Sequence, residues 1–444
     1  MMLQYELDVE ERSIKLPSVG AYEDQFKMLL QRDLNFHGKN SACVSHTWHA
    51  FPAKFPPQLP RFFIHELTEA GEAVLDPMMG SCTTLIEAAI LNRRAIGCDI
   101  DPLSLRLGPA KLRAIDFMAA YCAGKEVVKQ ARHHVDYQSD FLNHLLSNRF
   151  DTPTRTFVNY WFSDTTQREL MALLYEIEKN EDLSLRDFLM LVFSAIIITK
   201  SGGVSLSRDL AHTRPHKVEK TPHSALTEFE KRLQRNLQNI RYQPETFFHI
   251  YEADAQHLPL DENSVDLIVT SPPYANHAID YMRAHKFSLV WMGFNIKQLS
   301  EIRSKFIGGD SVRNITLKSL PAHSEEIVQR LAVLDKKKSQ AVHRYYSEMS
   351  LVLAEMHRVL KPGKAAVVVV GTSVMRGLNV ETQNCLAEIG QAAGFRLVDI
   401  GIRRLDRDKR MMPARRQGQQ KGASIEARMH EEYVIGFLKP EDHS

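Results

Sequence analysis

The chain has 444 residues, 44% of them hydrophobic and 25% charged, with a formal net charge of +2. That length allows two or three domains with ample core, and the composition is that of a globular protein rather than a disordered or fibrous one. No apolar run is long enough to cross a bilayer, and no charged-then-apolar leader opens the chain, so neither a membrane nor a secreted protein is expected. Five scattered cysteines with no C-x-x-C pair point to reduced thiols in a cytoplasm and against a zinc site; His46 and His49 have no second ligand pair to complete one.

Positive charge is unevenly spread. From Arg403 to Lys421 there are eight Lys/Arg against two Asp/Glu, and from Lys200 to Arg241 nine against four. Clusters of this kind on a nearly neutral chain suit a polyanion such as nucleic acid, although a solvated face would look the same in sequence.

In chain order, residues 1–45 read as an irregular arm with one helix near Tyr22–Arg32. The run Phe51-Pro52-Ala53-Lys54-Phe55-Pro56-Pro57 is stiff, extended and aromatic-lined, and leads into a helix over Leu59–Leu67. Ala73–Asp76 reads as a short strand that enters the small-residue turn Pro77-Met78-Met79-Gly80-Ser81-Cys82, followed at once by an amphipathic helix. A second strand, Ala95–Cys98, ends on Asp99, 23 positions after Asp76. Strand, turn, helix, strand and terminal acid are the first unit of a nucleotide-type α/β domain, with the acid placed for ribose hydroxyls. Only one glycine lies in the turn, which favours a small adenosine-type cofactor over a pyrophosphate.

Residues 116–243 break this rhythm. Leu170–Glu178, Asp187–Lys200 and Ser224–Ile240 carry helical apolar spacing, and the block reads as a mostly helical insertion. The sheet resumes at Phe247–Glu252, followed by Asp254 and Ala255; the Asp254 carboxylate is placed to accept from an adenine amino group.

The next strand, Asp266–Thr270, stops abruptly at Ser271-Pro272-Pro273-Tyr274. Neither proline donates a backbone hydrogen bond, so the neighbouring carbonyls are free to point outward. A hydroxyl, a carbonyl and an aromatic plate at a strand's carboxyl end suit a planar base with an exocyclic amine. The acceptors take its two protons and the ring covers its face. A further insertion over about 300–340, a long helix over Gln340–Leu360, a strand over Ala365–Val370, a helix over Thr382–Ala393 and an antiparallel pair, Leu397–Ile402 and Tyr433–Leu438, complete the sheet.

These motifs resemble those of the S-adenosylmethionine-dependent DNA amino-methyltransferases, in particular the N4-cytosine type, whose signature is Ser-Pro-Pro-Tyr/Phe. The resemblance covers roughly residues 46–115 and 244–440. Asp76-Pro77-Met78-Met79-Gly80-Ser81-Cys82-Thr83 is similar to the cofactor loop, normally Asp-Pro-Phe-x-Gly-Ser-Gly-Thr, with Met78 and Cys82 as departures. Cofactor motifs here precede the catalytic motif, the reverse of the typical N4-cytosine order. With 16 residues between Asp254 and Ser271, no recognition domain fits there, which leaves 116–243, 300–340 or the basic C-terminal loop.

The resemblance implies an α/β fold, a Rossmann-like seven-stranded methyltransferase sheet, with the catalytic domain over 46–115 and 244–444 and the helical insertion as DNA-recognition region. It implies S-adenosylmethionine as cofactor, held by Phe51, Ala53, Asp76, Pro77, Met78, Gly80, Ser81, Thr83, Asp99, Ile100, Asp254 and Ala255. It assigns catalysis to Ser271, Pro272, Pro273 and Tyr274. The implied partners are double-stranded DNA and, in a restriction-modification setting, a cognate endonuclease, in a bacterial or archaeal cytoplasm at the nucleoid. N6-adenine DNA methylation and RNA base methylation are the alternatives.

Overall fold

The computed structural model describes residues 22–37, 44–52, 54, 56–210, 216–238, 247–275, 280–309, 317–371, 373–405 and 431–441. Ala53 and most of the basic stretch Arg403–Lys421 lie outside the described residues.

A seven-stranded sheet organises the molecule. Its strands are β1 (Ala73–Asp76), β2 (Arg94–Asp99), β3 (Phe248–Glu252), β4 (Val265–Thr270), β5 (Leu360–Gly371), β8 (Arg396–Arg404) and β9 (Glu431–Leu438). The small strands β6 (Val374–Met375) and β7 (Leu378–Asn379) form a separate ribbon. The sheet order is β3-β2-β1-β4-β5-β9-β8, parallel through β5 and antiparallel for β9 against both β5 and β8. From β1 the chain runs outward through β2 and β3, then returns to place β4 on the other side of β1. That reversal opens a crevice at the carboxyl ends of β1 and β4, where open α/β sheets bind ligands.

Both faces of the sheet are covered, which is why β4 is buried along its whole length and the end of β5 reads as an unbroken apolar run. On one face pack α1 (Tyr22–Leu30), α2 (Gln58–Leu67) and α3 (Thr83–Ile90). On the other lie α13 (Ala322–Leu334), α14 (Lys336–Val359) and α15 (Thr382–Ala392). The segment around 300–340, expected as a mobile insertion, is partly built into the fold. Ile327, Val328 and Leu331 of α13 are buried against α14, and Lys336-Lys337-Lys338 form the first turn of α14, capped by the Asp335 carboxylate.

A second core belongs to the helical block: α5 (Phe117–Tyr137), α6 (Ser139–Arg149), α7 (Thr152–Trp161), α8 (Asp164–Glu178), α9 (Leu183–Ile197) and α10 (Ala225–Leu237). Five of these six helices start at side-chain caps, Asp116, Asp151, Ser163, Asp182 and Ser224, each accepting from a first-turn N–H. This core is not closed within 116–243. It also takes in Leu103 and Leu107 of α4 (Pro102–Leu112), Phe287 of α11 (Tyr281–Leu289), Trp291, and Leu299 of α12 (Ile296–Ser304). The helix that follows the Ser-Pro-Pro-Tyr stretch is therefore shared between sheet and helical block.

Asp266 fastens the amino end of β4. It is buried, one oxygen accepts from the Ala73 N–H at 2.9 Å, and the other accepts from the Lys361 ammonium at 2.7 Å. Asp266→Ala strands both donors and is expected to cost about 1–3 kcal/mol, seen as a lower urea midpoint at unchanged slope.

Candidate functional site

The site is assembled from three strand ends. At the end of β1 the Asp76 carboxylate is buried and turned under the loop. It accepts from the Met78 N–H at 3.2 Å and from the Thr270 hydroxyl, at the end of β4, at 2.7 Å. Burial pushes its pKa up to about 6, against the pull of these hydrogen bonds. Asp76 is thus a joist between the cofactor loop and the Ser-Pro-Pro-Tyr stretch, its contacts made to protein groups.

The loop then turns through Gly80 and Cys82, both at positive φ (44° and 65°), before α3 begins at Thr83. Cys82 thus occupies a left-handed conformation that glycine adopts without strain. Its Sγ fills space left by another glycine, since a Cβ on Gly108 would lie 3.2 Å from it. The Cys82 thiol is buried and its pKa is pushed up to about 12, so the side chain packs rather than reacts. Beneath the loop, buried Lys111 donates to the Ser81 carbonyl at 2.8 Å, and burial lowers its pKa to about 7. The Ser81 and Thr83 hydroxyls are bonded to each other at 2.9 Å. Pro77 is buried in the same turn, and Met78 is half-buried at its edge.

At the end of β2, Asp99 accepts from the Gly80 N–H at 2.9 Å and from the Asp101 N–H at 2.8 Å. Burial, then the neighbouring Asp101, pushes its pKa up to about 7. Ile100 is half-buried beside it.

Phe51 closes this side. A Cβ on Gly80 would lie 3.3 Å from the Phe51 ring, so the aromatic segment sits directly on the loop. Its ring is 5.9 Å from that of Tyr281 and 4.9 Å from that of His285. His285 Nδ1 bonds the Asp101 carboxylate at 2.6 Å, and its buried Nε2 has no hydrogen-bond partner among the described residues. Tyr281 has its pKa raised by burial and by Asp99 and Asp101. Tyr281 and His285 carry no motif spacing of their own, while Asp101 lies two positions after Asp99, just past the same strand end.

Two further residues expected at the cofactor lie past the end of β3. Asp254 follows edge strand β3 and its oxygens accept from the Gln256 backbone and side-chain amides at 3.0–3.2 Å. Ala255 is buried in the core beneath the sheet's opposite face.

The Ser-Pro-Pro-Tyr stretch lies beside all this, reached from Asp76 through Thr270. Ser271, Pro273 and Tyr274 are half-buried and Pro272 is buried. The Tyr274 hydroxyl donates to the Glu432 carboxylate at 3.0 Å, and burial, then Glu432, raises its pKa. The sheet therefore brings Phe51, Asp76, Gly80, Asp99 and Ser271–Tyr274 to one rim.

That rim fits an adenosine-type cofactor. Asp99 offers carboxylate oxygens at a strand end for a ribose diol, Phe51 and Tyr281 supply aromatic walls, and the loop backbone turns at a helix start. Among the described residues there is no group of three or more His, Cys, Asp or Glu that could hold a metal, and no helix long and apolar enough to cross a membrane.

The N6_N4_Mtase family model, described as DNA methylase, matches residues 9–107. The type II methyltransferase M.MvaI of Kocuria varians is 24% identical over 381 residues, covering 80% of this chain and 83% of that one. M.BsoBI of Geobacillus stearothermophilus is 22% identical over 407 residues, covering 80% and 79%. A tRNA (guanine(10)-N2)-dimethyltransferase of Methanocaldococcus jannaschii is 30% identical, over 28% of this chain and 33% of its own length.

Because an ionised Asp99 is the stronger acceptor for hydroxyl donors, affinity for S-adenosylhomocysteine is expected to be flat above pH of about 7. It should fall as pH drops below that value, by up to about tenfold per pH unit. Calorimetric titration between pH 5.5 and 8.5 measures this, and Asp99→Asn should bind weakly with the slope removed. The chain is thus similar to the DNA methylase family model over residues 9–107 and to two type II methyltransferases over about four fifths of its length, and S-adenosylmethionine is the cofactor its rim fits.

Proposed function

We propose that the protein methylates the exocyclic N4 amino group of cytosine in double-stranded DNA, at a specific sequence, as a modification enzyme acting alone or beside a restriction endonuclease. The observation that carries this reading is the placement of Ser271-Pro272-Pro273-Tyr274 one strand over from the cofactor loop, joined to it by the Thr270–Asp76 hydrogen bond at 2.7 Å. The bound cofactor supplies an electrophilic methyl on a sulfonium sulfur. The residues of this chain supply position and proton acceptance.

In this reading the target base leaves the duplex, at a cost of a few kcal/mol offset by stacking and phosphate contacts. The Ser271 hydroxyl and Pro272 carbonyl accept the two amino protons. The lone pair, otherwise delocalised into the ring, is thereby freed toward the methyl. The cofactor would supply the methyl, its C–S bond breaking as the C–N bond forms, and the surplus amino proton would pass by way of the Ser271 hydroxyl to solvent. No covalent enzyme intermediate is required. Serine at the first motif position favours cytosine, while adenine N6 is the chemically equivalent alternative.

The helical block is the proposed reader of the duplex. On its surface Tyr160 is exposed, the Lys217 ammonium lies 4.7 Å from the centre of its ring, and the Lys286 ammonium lies 5.1 Å from that of Phe157. Lys286 belongs to α11, the helix that begins just past the Ser-Pro-Pro-Tyr stretch, so basic and aromatic side chains run from the block toward the site.

Ser271→Ala should lower turnover about a hundredfold or more while S-adenosylhomocysteine still binds normally. Nucleoside digestion and mass analysis of DNA incubated with isotopically labelled cofactor identifies the product. N4-methylcytosine is expected; N6-methyladenine would reassign the base, label in RNA alone the substrate, and unchanged methylation by Ser271→Ala would remove the catalytic assignment. Lys217→Ala and Lys286→Ala should each weaken DNA binding across all sequences and reduce the salt slope by about one. A slope identical to the parent's in both variants would place the duplex elsewhere.

A further inference from the structure

The prolines stiffen the backbone of the Ser-Pro-Pro-Tyr stretch, yet they do nothing to the two side-chain torsions of Tyr274. A stacking plate that swings freely loses part of its value to entropy. In this structure the ring is tethered at its far end, by a residue 158 positions later in the chain. The Tyr274 hydroxyl donates to Glu432 Oε1 at 3.0 Å, and the other carboxylate oxygen of Glu432 is paired with the Arg403 guanidinium. Glu432 and Arg403 are cross-strand partners on β9 and β8, and both are buried.

The path from Glu432 to Tyr274 crosses β5. There the register partner of Glu432 is Gly371, so no side chain stands between β9 and the end of β4 on that face. A charged pair at this depth is costly unless its hydrogen bonds are satisfied, and Arg403 Nε has no partner among the described residues. Two hydrophobic residues would pack the same sheet position at less cost. What the pair provides, and they would not, is an oriented acceptor facing the Tyr274 hydroxyl.

We propose that Glu432, held in place by Arg403, is a positioning residue that fixes the Tyr274 ring as the surface on which the extruded base stacks. This rests on the reading of Tyr274 as that surface. Glu432 touches neither base nor cofactor in this scheme. It acts through the phenol, and Arg403 acts through Glu432.

The test is a double-mutant cycle on the full chain, using unmethylated genomic DNA, tritiated S-adenosylmethionine and calorimetric binding of S-adenosylhomocysteine. Glu432→Ala and Tyr274→Phe should each lower kcat about tenfold with S-adenosylhomocysteine affinity within about twofold of the parent, and the double variant should be no slower than the worse single one. Glu432→Gln, which keeps an acceptor for the phenol while losing the charge, should recover most of the rate. If Glu432→Ala fails to fold, Tyr274→Phe and Glu432→Gln are compared instead: Tyr274→Phe slow with Glu432→Gln near the parent is expected, and Tyr274→Phe at the parent's rate overturns the proposal. Effects that multiply, a wild-type kcat in Glu432→Ala, or kcat and cofactor affinity falling together would overturn the proposal. Tyr274→Ala separates the two levels. If it is fully active, the stacking role itself fails; if it is slow while Glu432→Ala is not, only the tether fails.

Discussion

The hydrogen bond from the Thr270 hydroxyl to the Asp76 carboxylate joins the two halves of this site. It spans the carboxyl ends of β4 and β1, neighbouring parallel strands that are 194 residues apart in the chain. On the Asp76 side hangs the loop that turns through Gly80 and Cys82; on the Thr270 side hangs Ser271–Tyr274. A second tie, from Thr84 of α3 to the Val269 carbonyl at 3.2 Å, repeats the connection one residue back along β4. A transfer reaction without a covalent intermediate depends on the placement of two bound groups. The scaffold therefore has to fix one loop against another to within fractions of an ångström.

Charge burial around the site follows the same logic. Asp76 and Asp99 are held where desolvation raises their pKa values, and both are supplied with backbone or hydroxyl donors that restrain the rise. Lys111 is buried against a single carbonyl, and His285 against the Asp101 carboxylate. None of these arrangements improves stability over a well-packed apolar core. They gather ionisable groups behind the cofactor loop, where small motions would be expensive, and so make the loop's shape hard to change.

The helical block is a separate core but not a separate body, because Phe287, Trp291 and Leu299 from beyond the Ser-Pro-Pro-Tyr stretch are buried in it. The polar chain His49–Ser194–Ser288, with contacts of 2.8 Å, crosses the same junction and joins the aromatic segment at 46–57 to α9 and α11. A movement of the block relative to the sheet would thus be felt at Phe51 and at α11, both of which wall the cofactor side of the site.

Much of this was legible from local pattern. Strand β4 and its proline stop, the Asp76-to-Thr83 turn, the acid at the end of β2 and the antiparallel finish all follow from hydrophobic period, proline chemistry and small-residue turns within a few positions of one another. The sequence by itself therefore determined the sheet and the residues at its functional rim. What only the tertiary structure decided are the pairings between distant segments. Asp76 ties β1 to β4 through Thr270, Asp254 pairs with Gln256, Tyr281 and His285 pack against Phe51, and Glu432 reaches Tyr274 across Gly371. Each rests on which strands become neighbours, and a carboxylate's partner is set by the three-dimensional register that brings a donor within about 3 Å, which no local periodicity encodes.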